Sequence, residues 1–571
     1  MMSKISSPEK KVGLNLFLLT VRRNFGLILL FCFAKLLVCP GYLLVYINNT
    51  ANNLPVILGV YTAETSICGS ITVMIFLYIA FSYLYSKRSV DVFHSLPLYR
   101  SSLLLSRFFG AVVSALIPIT LGFISFGCVA GFVDNDIVPG NILFSYICTV
   151  LGILIIASIF LIFIICAGGT LDLILSFFGV NIGLFVIGYI LISTMENCIR
   201  GFCTDYSGMK YFSALFWFYE NEISFIENEN FFTSASIWFI IKALILISVL
   251  VVIAVILYSK RKSERSDGSY AYRFVYYLCS VIISFVGAYV IGSIFSEGDS
   301  EILFWLFAIP GAILTSVAFG AITNRSFKKF ARSLIIGAVS VVLLIISYLC
   351  ISNDIFGIGS YIPSEDKVKA VTMQAFGETI TINDEIEVVT DIHKSVIELP
   401  EPFVSEPKTL GDYTTYLEFK YTLSDNSTVR RRYDVYEKDV IRDISPVLSG
   451  DLKREEILKK YENCDIDFAR LDYQNYDKDG EYIYQIDKED MLELVNIYFD
   501  EIKQTDLEKL YTSGTVCHTV NFTLYVNSNK ISETVTPYEY FSLRINNDFK
   551  NTLDYISKLN PADETEYVLF Q

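Results

Sequence analysis

The sequence predicts a polytopic α-helical membrane protein of about nine transmembrane helices, followed by a C-terminal α+β domain. Three observations carry this. First, long apolar stretches recur through the first 352 residues, and 141–167 contain no charged side chain. About 20 apolar residues span the hydrocarbon core as a helix. Second, composition breaks sharply: residues 1–352 hold 22 Lys/Arg against 17 Asp/Glu, whereas 353–571 hold 23 against 43. Third, basic residues concentrate in every second connection between the apolar runs.

The runs place helices at roughly 25–47, 58–85, 109–133, 141–167, 174–195, 236–258, 274–295, 302–323 and 334–352. The first run follows Lys10, Lys11, Arg22 and Arg23. Its Lys35 interrupts any compact signal core, so the first helix is read as uncleaved. With a cytoplasmic N-terminus, the inner segments 1–24, 86–108, 168–173, 259–273 and 324–333 carry 18 Lys/Arg. The outer connections carry only Arg200 and Lys210. The positive-inside rule then sets the expectation: a multi-pass cell-membrane protein whose odd span count puts the C-terminal domain outside.

Residues 353–571 are patterned as a folded domain. Leu417, Phe419, Tyr421 and Leu423 alternate with polar residues; a turn follows at 424–427, and Val429, Arg431, Tyr433 and Val435 alternate again, which predicts a β-hairpin. Residues 515–527 alternate likewise. Segments 451–462 and 487–503 read as helices, the second through Met491, Leu492, Val495, Tyr498, Phe499 and Ile502 at helical spacing. No internal repeat is visible. An acidic surface offers nucleic-acid phosphates no partner, so nucleic acid is not an expected ligand.

The chain shows no GxxxxGK[ST], HExxH, GxSxG or EF-hand pattern, and its three histidines, His94, His393 and His518, are far apart in sequence. No enzyme activity, metal or cofactor is expected within this chain. The 12 cysteines lie mostly singly in apolar runs, where Cys acts as a small hydrophobe. Cys198 and Cys203 flank a short connection and are near enough in sequence either to pair or to stay free.

The second inner connection, 86–108, is the most informative segment. Arg88, Arg100 and Arg107 suit anchoring to lipid headgroups. Phe93, Leu96 and Leu98 do not, because headgroup anchoring gives no reason for apolar side chains in a short aqueous loop. An apolar patch rimmed by charge marks a docking surface. Pro97 would end a short helix there and turn the chain back.

The run Asp91-Val92-Phe93-His94-Ser95-Leu96-Pro97, with Arg100 and Arg107 after it, resembles the loop following the second span of bacterial type-2 ABC transporter permeases with an FHSLP core. In that family the loop is a coupling helix that enters a groove of a separate ATPase. The resemblance implies that role for Val92, Phe93, His94, Ser95, Leu96, Pro97 and Leu98. It also implies a six-span core over 1–260 and a long outer connection, here 196–235, folded back as short interfacial or re-entrant helices. Phe216-Trp217-Phe218-Tyr219 and Phe231-Phe232, interleaved with glutamates, also suit a plain aromatic belt. Three further spans over 261–352 and the domain 353–571 go beyond the six-span plan. Implied partners are ABC ATPase subunits, which would use the ATP, a second permease copy and membrane lipid. The implied function is export. A membrane sensor with an extracellular ligand-binding domain, and a secondary transporter, stand as alternatives.

Two intramembrane charges complete the picture. Lys35 lies mid-span, and Glu64 in the second span would meet it only at matching depth; a helix contact and a substrate contact are both open. In the C-terminal domain, Arg430-Arg431-Arg432 on a strand either balances local acidic charge or forms an anion site, with Arg431 on the face opposite the other two.

Overall fold

The computed structural model of the protein describes residues 8–49, 54–95, 98–133, 139–204, 206–227, 233–262, 270–296, 300–327, 330–383, 386–400, 402, 414–424, 427–461, 466–475, 480–505, 518–526, 538–546 and 548–559. The chain forms two compact units. One comprises Met1–Ser193 and Asp205–Leu349, the other Thr194–Thr204 and Cys350–Gln571.

The first unit is helical: α1 (Pro8–Arg23), α2 (Phe25–Asn49), α3 (Leu54–Phe81), α4 (Lys87–His94), α5 (Arg100–Val133), α6 (Pro139–Cys166), α7 (Thr170–Cys198), α8 (Ala214–Glu227), α9 (Ser234–Lys260), α10 (Arg273–Phe295), α11 (Glu301–Asn324) and α12 (Phe330–Ser352). Among the described residues, eight helices are long and apolar enough to cross a membrane, or nine if the bent pair α1–α2 is one span. That pair is the main departure from the sequence reading, which took 1–24 as a connection. Residues 8–23 are helical, and the axis turns by 54° at Asn24. The buried Asn24 donates through Nδ2 to Ser114 Oγ of α5 at 3.4 Å, fixing the corner to a neighbouring helix.

Small residues let the spans approach closely, as expected where lipid removes the hydrophobic drive between helices. A Cβ on Gly287 of α10 would come within 2.4 Å of Thr315 on α11. Ser284 Oγ donates across the same contact to Ala312 O at 2.8 Å, and Ser316 Oγ ties α11 to Ser333 O of α12 at 2.7 Å.

The second unit contains two antiparallel four-stranded sheets, β2-β1-β3-β4 and β6-β5-β7-β8. Their strands are β1 (Val368–Ala375), β2 (Glu378–Ile382), β3 (Thr414–Leu423), β4 (Thr428–Tyr436), β5 (Ile466–Asn475), β6 (Gly480–Ile486), β7 (His518–Val526) and β8 (Tyr538–Ile545). The helices are α13 (Ile386–Glu398), α14 (Glu437–Ser449), α15 (Asp451–Tyr461), α16 (Lys488–Ile502) and α17 (Lys550–Lys558). Phe376 and Gly377, both at positive φ, form the two-residue turn that joins β1 to β2.

This domain is a tandem repeat, which corrects the reading that it has none. Among the described residues each half runs strand, strand, helix, strand, strand, helix, with α15 following the first half, and in each the first strand is central and paired to the second and third. Both halves carry a register shift at the same place, Val368/Ala370 in β1 and Ile466/Phe468 in β5. Buried positions match: Met373 with Leu471, Leu417 with Val520, Phe419 with Phe522, and Val389, Ile392 and Val396 with Met491, Leu494 and Tyr498. The halves share one apolar core, and α15 and an Arg544–Glu378 ion pair at 3.4 Å link them.

In the first half the core holds a polar insert. His393 of α13 is fully buried, with Nδ1 2.7 Å from Tyr421 Oη and Nε2 2.9 Å from Tyr433 Oη, and stacks on Phe419. A neutral imidazole donates to one phenol and accepts from the other. The equivalent positions in the second half are Val495, Leu524 and Leu543.

Thr194–Thr204, which begins in the last turn of α7, completes the edge of the first sheet. Phe202 bridges antiparallel to Arg431, and Arg432 N donates to Gly201 O at 3.1 Å. Gly201 sits at φ +76°, and a Cβ there would lie 2.3 Å from the Tyr433 ring. Gly201→Ala therefore should loosen this segment by about 2–3 kcal/mol, combining left-handed backbone cost and overpacking. The check is alkylation of Cys203 in a background without other cysteines, where the half-buried thiol should react faster. An unchanged rate would refute the packing role. No disulfide joins Cys198 to Cys203.

Candidate functional site

The α4 segment is built on the helix ends around it. A single 3-10 turn, Ser82–Tyr85, follows α3, and α4 starts at Lys87. Val90 is 1% exposed, and Phe93, one turn on, faces the same way. The Phe93 ring lies 4.5 Å from that of Tyr83, and the Arg107 guanidinium is 4.0 Å from the Phe93 centroid and 4.5 Å from that of Tyr83. Arg107 is only 4% exposed and donates to Ala80 O at the end of α3. It is thus not a headgroup anchor: its charge is spent on a helix-terminal carbonyl and two aromatic faces.

The opposite face is open. Val92 is 63% exposed and Tyr99 68% exposed. Ser95 closes the helix, with its N donating to Asp91 O at 3.1 Å and its Oγ to Val92 O at 2.9 Å. Leu98 is half-buried against the helical core. Leu96, Pro97 and the His94 side chain lie outside the described residues. Of the seven residues singled out by sequence, Val92 therefore points outward, while Phe93 and Leu98 point inward. The missed contributors are Arg107 and Tyr83; the three-residue spacing of Val90 and Phe93 was the sequence signal for an inward face.

A second polar site rings α3 within the spans. Lys35 of α2 meets Glu64 at 2.8 and 3.1 Å and Thr65 Oγ1 at 3.2 Å, so the two depths agree. Tyr61 lies beneath the ammonium at 5.7 Å, and Cys68 Sγ donates to Glu64 at 3.1 Å. Around the helix, Ser66 Oγ is 3.4 Å from both Thr149 of α6 and Glu222 of α8, and Ser70 Oγ is 2.8 Å from Tyr219 Oη. The connection expected to fold back does contain α8, whose Phe218 is buried against Gly152 and Phe239. Phe231 and Phe232 lie outside the described residues.

The three consecutive arginines of β4 diverge. Arg430 pairs with Glu418 at 2.7 Å, Arg432 lies over Tyr416 at 4.5 Å, and Arg431 is buried, donating to Ile358 O at 2.8 Å and Tyr361 O at 3.4 Å. Arg430 is thus locally balanced, and the trio does not converge on one anion.

No family model matches this chain, and no curated protein or solved structure is detectably similar to it. The chain is a multi-pass membrane protein by the length and hydropathy of its helices, with a C-terminal mixed α/β domain of two antiparallel sheets.

Proposed function

We propose that this chain is the membrane-spanning permease subunit of an ABC transporter, an exporter, working with a second permease copy and separate ATPase subunits. The observation that supports the reading most is the build of α4. It is a short helix between two spans, pinned on one side through Val90 and Phe93 and presenting Val92 on the other, with Tyr99 exposed beside it. A short helix held on one side, whose exposed side carries Val92 among Lys87, Arg88, Asp91 and Ser95, supports a docking contact with an apolar anchor in a polar rim. The resemblance of residues 91–97 to a coupling loop points the same way, and the 18-to-2 distribution of Lys/Arg supports a cytoplasmic position for it. Phosphate chemistry then belongs to the ATPase; this chain supplies the contact and the pathway. The C-terminal domain would lie outside the cell.

The test is co-purification of the chain with its ATPase. Val92→Asp should weaken the complex by about tenfold or more, because it places a charge in an apolar contact. Arg88→Ala should change it little. Retention of the ATPase by Val92→Asp would remove α4 as the docking element. A sensor kinase recovered in place of any ATPase would move the sensor reading to first place.

A further inference from the structure

The Arg107 cluster does not end at α4. Tyr83 Oη, beneath Arg107, lies 2.7 Å from Tyr258 Oη in the last turn of α9. Tyr258 is itself buried. Arg261, just past the end of α9, is 3% exposed and donates to Leu84 O at 3.1 Å, Ile164 O at 3.2 Å and Ile165 O at 2.8 Å. Arg100, at the start of α5, donates to Ser259 O at 3.1 Å and Arg261 O at 2.8 Å. Among the described residues, none of the three arginines has a carboxylate within ion-pair distance. Their charges meet carbonyls at the ends of α3, α6 and α9, where helices leave acceptors unpaired and the dipole is negative. A guanidinium can serve several such acceptors at once in fixed geometry, which an ammonium cannot. Arg100 is exposed, but Tyr83, Arg107, Tyr258 and Arg261 are buried, so their contacts count for more than they would in water.

We infer that Phe93, Arg107, Tyr83 and Tyr258 form a relay that carries displacement of α4 to the end of α9, and that Arg261 passes it on to α6. Movement of the loop is thus delivered to two helices distant in sequence, not only to α3 and α5, which flank it. The four are positioning residues. The inference rests on α4 being the ATPase-facing loop, but the linkage belongs to this chain alone.

The experiment is hydrogen exchange on the full-length chain in lipid nanodiscs without any ATPase. Phe93→Leu keeps an apolar side chain and removes the ring from Arg107. Exchange should speed up about tenfold at amides 90–95 and also at 256–261, while 237–242, at the other end of α9, stay unchanged. Tyr258→Phe removes only the phenol contact and should act in reverse, loosening 90–95 severalfold. Arg107→Lys, which keeps the charge but not the planar face, should reproduce Phe93→Leu at 256–261. Faster exchange at 90–95 with 256–261 unchanged would overturn the relay, because the contacts would then be local. No change in either window would overturn it as well. If Phe93→Leu does not fold, Tyr258→Phe decides alone. A chain that shows coupled exchange but binds no ATPase would refute the transporter reading and leave the relay standing; an ATPase-binding chain without coupled exchange would do the opposite.

Discussion

Lowering the pH from 7 to 4 should weaken the C-terminal domain by roughly 3 kcal/mol through His393 alone. Burial, with a smaller contribution from the positive charge of Arg431, lowers the His393 pKa from 6.5 to about 3. Above pH 6.5 the imidazole is neutral in both folded and unfolded chains, and its contribution is fully present. Below that the unfolded chain takes up a proton that the folded core refuses. Stability then falls by about 1.4 kcal/mol per pH unit until the folded group itself titrates near 3. The many carboxylates of the domain also titrate in this range, so the measurement must be a difference. The second half of the repeat supplies the reference: His393→Val with Tyr421→Leu and Tyr433→Leu installs its residues. Urea titrations at both pH values, followed by exchange of peptides covering 389–396, should show a steeper loss for the wild type. Equal losses in the two proteins would exclude His393 as the acid-labile group.

Lys35→Met should cost about 2–4 kcal/mol, since it leaves the half-buried Glu64 without its cation within the spans. Glu64 would keep Thr65 Oγ1 and Cys68 Sγ as donors but lose both ammonium contacts. Adding Glu64→Leu should recover most of the loss, since an apolar pair of similar volume avoids desolvating two ions. Thermal unfolding in lipid nanodiscs compares the three proteins. If the single change costs less than about 1 kcal/mol, the pair does not hold α2 to α3.

The spans were legible because hydropathy is local: the run 236–258 became Ser234–Lys260, and 274–295 became Arg273–Phe295. The hairpin of β3 and β4 was legible for the same reason, since alternation is a property of consecutive residues. Asp425 and Asn426 of its predicted turn, and residues 515–517 of the later strand, lie outside the described residues. What sequence could not show depends on partners. The repeat is carried by strand order and a shared bulge, while its residues diverge, so that His393 stands where its counterpart is Val495. Arg107 reads as a headgroup anchor because an arginine at a helix end looks alike whether it meets lipid phosphate or a backbone carbonyl. The position of α4 was legible, and the spacing of Val90 and Phe93 hinted at an inward face; the partners that hold Phe93 there, Arg107 and Tyr83, were not, because they come from other segments.

The strand-like segment at Gly201 and Phe202 also bears on how the protein is made. Its partners on β4, Arg431 and Arg432, leave the ribosome long after it does. Contacts so distant along the chain close late, since the loop entropy must be met before they return any stabilisation. The first sheet of the C-terminal domain is therefore finished by a segment inserted between membrane helices. This edge contact therefore cannot close until α8 to α12, which lie between its two partners in sequence, have been synthesised.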